Sequence, residues 1–189
     1  TAEVCVHHMY FNNSYYAELG NQIKCNPSIK MESDRLALID ALKNNKIDII
    51  ATDHAPHTWD EKNQDYPLAP AGLPLVQHGI QILMDFYHQD VLSLEMIVEK
   101  TSHNVAKRFQ IKERGYIREG YYADLAVLDL DKTYEVSKEN ILYKVGWSPF
   151  LGKTFNSSVY MTVVNGHIAF LDGKINNNLP YGMQIEFNR

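Results

Sequence analysis

Residues 47–57 read IDIIATDHAPH, an apolar run that stops abruptly at an acid and two histidines. Ile47, Ile49 and Ile50 are β-branched and Asp48 is the single early polar break, so the run predicts a strand covered on both faces, as in a parallel sheet. Asp53, His54 and His57 then follow at the strand's carboxyl end, where parallel α/β architectures carry their chemistry.

Upstream, Ser33 is the expected N-cap of a helix with Leu36, Ile39 and Leu42 on one side and Lys43 and Lys46 near its negative end. Before it, Pro27 biases Asn26 toward an extended conformation, and FNNSYYAELGNQ reads as a polar, aromatic loop. Thr1 to Val6 is a β-prone segment ending in the pair His7-His8, so the first residue already sits in or beside a strand. The order strand, long loop, helix, strand is that of the crossover units that build parallel sheets and β/α barrels.

Downstream, TWDEKNQDYPLAPAGLP carries three of the seven prolines and reads as a lid or rim loop. A helix is expected from Leu75 to His88, and a second from Leu92 to Phe109 with an interruption at Ser102 to Asn104. From Gly115 the text changes to short β-rich runs: ADLAVLDL, TYEV, VYMTVV and HIAFLDG. Asn165-Gly166 between the last two predicts a tight hairpin, since both central residues of a type I′ turn need positive φ. The division expected is 1–112 for the α/β part and 113–189 for a small β-sandwich-like domain, with a solvated turn at Asn176 to Asn178.

The composition is that of a globular chain, with 45% hydrophobic and 22% charged residues in 189. No run approaches the roughly 18–20 apolar residues of a spanning helix, and TAEVCVHHMY lacks the order of a signal peptide. No membrane and no nucleic-acid partner is expected, the latter because a net charge of −5 offers no basic face to a phosphate backbone. Two cysteines, Cys5 and Cys25, make no disulfide framework, and a cytoplasmic location is the simplest setting. Both read as small buried hydrophobes.

The residues themselves leave alternatives open. Asp53 is either the N-cap of a following helix or a metal ligand and proton carrier. His57 is a ligand, a substrate donor or a solvated loop residue. Adjacent residues on a strand point to opposite faces, so at most one of His7 and His8 is expected to face a shared site. His-Glu-x-x-His and paired Cys-x-x-Cys spacings, a Gly-x-Ser-x-Gly elbow and phosphate-cradling glycine loops are all absent.

The stretches TAEVCVHH, KCNPSIK, DRLALIDALKNNKIDIIATDHAPH and APAGLP, followed by TSHNVAKRFQI and GYIREGYYADLAVLDLD, resemble the C-terminal half of the dihydroorotases. These are cyclic amidohydrolases of pyrimidine synthesis. The resemblance covers nearly the whole chain, and Asp-His-Ala-Pro-His is its most specific motif. It implies the last strands and helices of a metal-dependent TIM-type (β/α)8 barrel plus a small β-rich domain. The implied reaction is the reversible cyclisation of N-carbamoyl-L-aspartate to L-dihydroorotate. Asp53 then ligates zinc, one or two ions being required, and shuttles the proton of a zinc-activated hydroxide. Asn26, His57, Ala71 and Gly72 match positions that hold the substrate. Ser28 and Lys30 stand where the family pattern has a proline and an arginine, and Ala71 where a bulkier residue is common.

The pattern's paired first-strand histidines, its bridging acid or carboxylated lysine, and its fifth- and sixth-strand histidines have no counterpart here. Two strands cannot close a barrel of eight, which takes about 250 residues. The expectation is therefore a part of a longer or cleaved protein, inactive alone, whose N-terminal half is its partner, with room for a homo-oligomer. Two alternatives stand beside it: a non-catalytic dihydroorotase-like subunit, and a hydantoinase- or allantoinase-type enzyme.

Overall fold

The structure, a computed structural model, describes residues 1–176 and 180–188. It opens with strand β1 (Glu3–Cys5), which runs directly into a short helix α1 (Val6–Tyr10). A loop with the small helix α2 (Tyr16–Leu19) leads to α3 (Glu32–Lys43), and the chain returns as β2 (Ile49–Ala51). β1 and β2 pair in parallel, with Glu3 opposite Ile49, Val4 opposite Ile50 and Cys5 opposite Ala51. That register sets the two strand ends, and the residues that follow them, side by side. Ile47, Ile49 and Ile50 are buried, as a strand covered on both faces requires.

Two expectations are corrected here. His7 and His8 do not continue a strand. They lie in the first turn of α1, so the alternation of strand faces does not separate them, and their ring centroids are 4.1 Å apart. Ser33 does not cap α3, because the Asp34 carboxylate accepts the Met31 N–H at 3.0 Å and moves the cap two residues earlier. Ile39 and Leu42 of α3 are buried, whereas Leu36 is half exposed.

The segment after His57 is less of an open loop than expected. It holds a short helix α4 (Trp59–Lys62) with a capping box between Thr58 and Glu61. The expected helix at Leu75 begins later, as α5 (Gly79–His88), after a turn whose Leu75 and Val76 N–H groups donate to His54. The next helix is α6 (Leu94–Val98) and α7 (Asn104–Phe109), joined by a π turn at Glu99–His103. The expected interruption is thus a π bulge, and it has a polar function. Buried Lys100 donates to Asn45 Oδ1 at 2.7 Å and to the Ile47 carbonyl at 2.9 Å, and Asn104 donates to the Asp48 carbonyl at 2.8 Å. These bonds hold the entry of β2.

The β-rich segment forms an antiparallel sheet in the order β3-β6-β7-β8: Leu125–Asp129, Ser158–Val164, His167–Leu171 and Lys174–Ile175. Asn165 (φ 49°) and Gly166 (φ 83°) connect β6 to β7, both in the left-handed region that the Asn-Gly pair predicts. β4 (Tyr134–Glu135) pairs separately with β5 (Thr154–Phe155). Asn176 hydrogen-bonds to the backbone of Ala169 and Ile168, and the rest of the expected turn, 177–178, lies outside the described residues. Val136, Trp147, Phe150 and Phe155 pack in one apolar core with Val4, Met9, Ile50 and Ile82. The residues beyond 130 therefore roof the strand pair that ends at the site.

Candidate functional site

Asp53 follows β2 with φ +46°, a conformation that Asp tolerates better than most side chains and that turns the chain sharply at the strand end. It is exposed, and its carboxylate makes no hydrogen bond or ion pair among the described residues. The N-cap alternative is not realised, since the next helix is capped by Thr58.

Three segments meet beside it. His57 Nε2–H donates to the Ala71 carbonyl at 3.2 Å, and its own carbonyl accepts the Trp147 indole N–H at 2.8 Å. Gly72 N–H donates to the Lys24 carbonyl at 2.8 Å. A side chain at Gly72 could not be accommodated: a Cβ would lie 2.5 Å from the Ala55 oxygen and 3.3 Å from the His57 ring, and φ is +129°. Asn26 follows Lys24 by two residues, exposed, at a cis bond to Pro27. Two of the three departures from the family pattern touch each other, as Lys30 Nζ donates to Ser28 Oγ at 2.5 Å.

These bonds restrict what Ala71 and Gly72 can offer a ligand. The Ala71 carbonyl is taken by His57, the Gly72 N–H by Lys24, and the Gly72 carbonyl by Lys62. The Ala71 N–H is the one backbone polar group of the pair not engaged within the described residues.

Lys62 is the residue that sequence reasoning passed over. Its ammonium, 1% exposed, donates to Lys24 O (3.2 Å), Pro70 O (3.0 Å) and Gly72 O (2.8 Å), fastening the proline-rich segment to the Asn26 segment. Burial pulls its pKa down to about 8. Nothing in a lysine directly before an Asn-Gln-Asp run signals this, since three carbonyls from separate turns converge only in the fold. Trp147 was also missed, for the same reason.

His54 has a structural role. Its Nδ1 accepts the Leu75 N–H at 3.0 Å and the Val76 N–H at 3.2 Å, and its ring lies 5.3 Å from that of Tyr143. His78 is fully buried among Tyr143, Ser148 and Phe155, and burial holds its pKa down to about 4.

On the neighbouring strand end, Cys5, His7 and His8 place one ligand atom each within 4.8 Å of one another. His7 is 1% exposed, and among the described residues neither ring nitrogen makes a hydrogen bond of normal geometry, the Thr52 backbone interacting with it only weakly. Burial pushes its pKa down to about 3. Burial, then the nearby Asp53 charge, pushes the Cys5 thiol up to about 12. Cys25, also free, is buried beside His8.

Comparisons with known proteins converge on one group. Residues 1–169 match the model of the amidohydrolase family. A dihydroorotase from Endomicrobium trichonymphae is 36% identical over 171 residues, covering 90% of this chain and 40% of that protein. A dihydroorotase from Pyrococcus abyssi is 36% identical over 173 residues, covering 92% and 41%. Among solved structures, an L-hydantoinase (dihydropyrimidinase) from Arthrobacter aurescens matches with a TM-score of 0.85 at 25% identity, over 92% of this chain and 40% of that one. The dihydropyrimidinase of Brevibacillus agri NCHU1002 shares the fold, with a TM-score of 0.82 at 21% identity. The chain thus spans about 40% of the length of the relatives it matches. Its architecture is the C-terminal portion of their barrel, with the small β-rich sheet attached.

Proposed function

The chain belongs to the amidohydrolase family, and we propose that it is the C-terminal part of a dihydroorotase, catalysing the reversible cyclisation of N-carbamoyl-L-aspartate to L-dihydroorotate. One observation carries the reading: the free Asp53 carboxylate, at the end of a buried strand, stands beside the His57, Asn26 and Ala71-Gly72 segments, which bonds and packing have joined into one rim. Two dihydroorotase relatives are each 36% identical over 90% of this chain, and the location that goes with the reading is cytoplasmic.

The donor chemistry fits zinc. Among the described residues Asp53 has no hydrogen-bond or ion-pair partner, and zinc takes carboxylate oxygens. Asp53 would hold such an ion together with donors contributed by the N-terminal half of the same protein. When bound, such an ion would supply Lewis acidity toward water and the ring carbonyl. Asp53 accepts a proton from the attacking water and delivers it to the departing amide nitrogen as the ring opens, and the reverse path serves cyclisation. With its Nε2–H committed to the Ala71 carbonyl and its backbone carbonyl held by Trp147, His57 offers Nδ1 as acceptor to a substrate N–H. Asn26 contributes an amide suited to the ring's imide edge.

The likeness to an L-hydantoinase supports a second reading, an enzyme for uncharged cyclic amides. The test is an assay of the protein as the cell makes it, purified with whatever chain accompanies it. Dihydroorotate, hydantoin, dihydrouracil and allantoin are each offered with and without chelator. Chelator-sensitive preference for dihydroorotate supports the first reading; preference for the uncharged rings replaces it with the second; inertness toward all four leaves only a supporting, non-catalytic subunit.

A further inference from the structure

We propose that Lys62 and Lys24 are a pair of positioning residues that hold the Ala71-Gly72 turn and the Asn26 segment at the spacing a ring substrate needs, a role that rests on the reading of this rim as the substrate site. The first ground is that regular secondary structure fixes neither segment. Residues 24–31 lie before α3 and residues 63–72 between α4 and α5, and neither stretch contains a helix or a strand. Among the described residues one backbone hydrogen bond joins the two stretches, from the Gly72 N–H to the Lys24 carbonyl at 2.8 Å. The rest of the join is made by two ammoniums.

Their bonds interlock. Lys24 Nζ reaches across to the Tyr66 and Ala69 carbonyls, at 2.5 Å each, and lies 4.3 Å from the centre of the Tyr66 ring. Lys62 Nζ reaches back to the Lys24 carbonyl while it holds the carbonyls of Pro70 and Gly72. The Lys24 carbonyl therefore accepts from both Lys62 and Gly72, and two cations gather the carbonyls of Tyr66, Ala69, Pro70 and Gly72 against the Asn26 segment.

The second ground is chemical. Three carbonyl oxygens around one buried nitrogen suit an ammonium, which has three donors and no acceptor. A hydroxyl supplies one donor, and a guanidinium spreads its donors in a flat fork that cannot aim at three converging oxygens. What the clamp governs is placement. The His57 ring is bonded to the carbonyl of Ala71, between Pro70 and Gly72, so a shift of the turn displaces that contact as well. Asp53 stays where it is, because the entry of β2 is held separately by Lys100 and Asn104. Loss of the clamp therefore acts on substrate binding more than on the chemical step.

The test is Lys62→Ala in the assembled protein, where the atoms removed are those of n-propylammonium and n-propanol is the neutral molecule of the same length. The expected result is a KM raised about tenfold or more with a smaller change in kcat. Added n-propylammonium lowers KM again, and n-propanol does not. Hydrogen exchange over residues 63–72, read without substrate, speeds up in the variant and slows with n-propylammonium. KM is measured on whichever cyclic amide the protein hydrolyses, so a substrate other than dihydroorotate replaces the proposed reaction and leaves this test intact. If no ring is hydrolysed, the functional reading fails by itself and the exchange still decides whether the clamp exists. Circular dichroism checks folding, and if Lys62→Ala does not fold, Lys24→Met, which keeps the Lys24 carbonyl, carries the test through KM and exchange. Unchanged KM and exchange in a folded variant, a kcat loss as large as the KM rise, or equal rescue by n-propanol overturns the proposal.

Discussion

The ammonium of Lys62 donates to the carbonyl of Gly72 across 2.8 Å, and the same nitrogen reaches the carbonyls of Pro70 and Lys24. One buried cation thus closes the turn that carries Ala71 and Gly72 and ties it to the segment carrying Asn26. Lys62→Met keeps the apolar stem and removes all three bonds, leaving carbonyls without a donor. The expected loss is about 3 kcal/mol, read as a lower urea midpoint with unchanged slope.

The same lysine sets an alkaline signature. Its folded pKa, about 8, lies below the ordinary 10.5, so between those values the unfolded chain binds the proton that the native chain has released. Stability from this group therefore rises with pH across that window. Urea midpoints measured through it should climb in the wild type more than in Lys62→Met; parallel curves would show that the ammonium is not desolvated.

At the acid end His78 acts in the same direction over a different range. Its imidazole is held neutral, with a folded pKa of about 4 against 6.5, so the unfolded state takes up a proton first and stability falls as pH drops from 6.5 toward 4. His78→Phe, which keeps the ring packing against Phe150 and Phe155, should flatten that part of the profile. The check is the difference between the two pH–stability curves, which removes the carboxylates common to both.

Gly72→Ala is expected to destabilise by about 2 kcal/mol or more, since the added methyl meets a backbone oxygen at 2.5 Å and the residue must keep φ +129°. Because the clash adjoins the His57 ring, the variant should also raise KM in the assembled enzyme. A midpoint within error of wild type would contradict the packing described.

For the proposed reaction, Asp53→Ala in the assembled enzyme should abolish turnover. His57→Ala should mainly raise KM, by about tenfold, with a smaller change in kcat. Steady-state kinetics on both variants distinguishes the roles, and near-normal turnover by Asp53→Ala would remove the proton-transfer assignment.

Much of this was legible in the residues. Three isoleucines before Asp53 announced a covered strand, and Asn165-Gly166 announced its hairpin, because both signals are local. The His7-His8 pair was misread because strand periodicity was carried past Cys5 through His8; the chain turns helical at Val6, where no proline or glycine marks the change. Lys62, Trp147 and the engaged carbonyls of Ala71 and Gly72 were not legible. Their bonding depends on contacts between residues 8 to 90 positions apart, for which a sequence has no local mark.

The indole of Trp147 and the carbonyl of Ala71 grip His57 at its backbone and at its ring. Freezing a side chain has an entropic cost, and here that cost falls on the folding step. Whatever ligand meets this imidazole finds it already immobilised, so its association is spared that ordering term, and affinity at the rim depends in part on an aromatic residue 90 positions away along the chain.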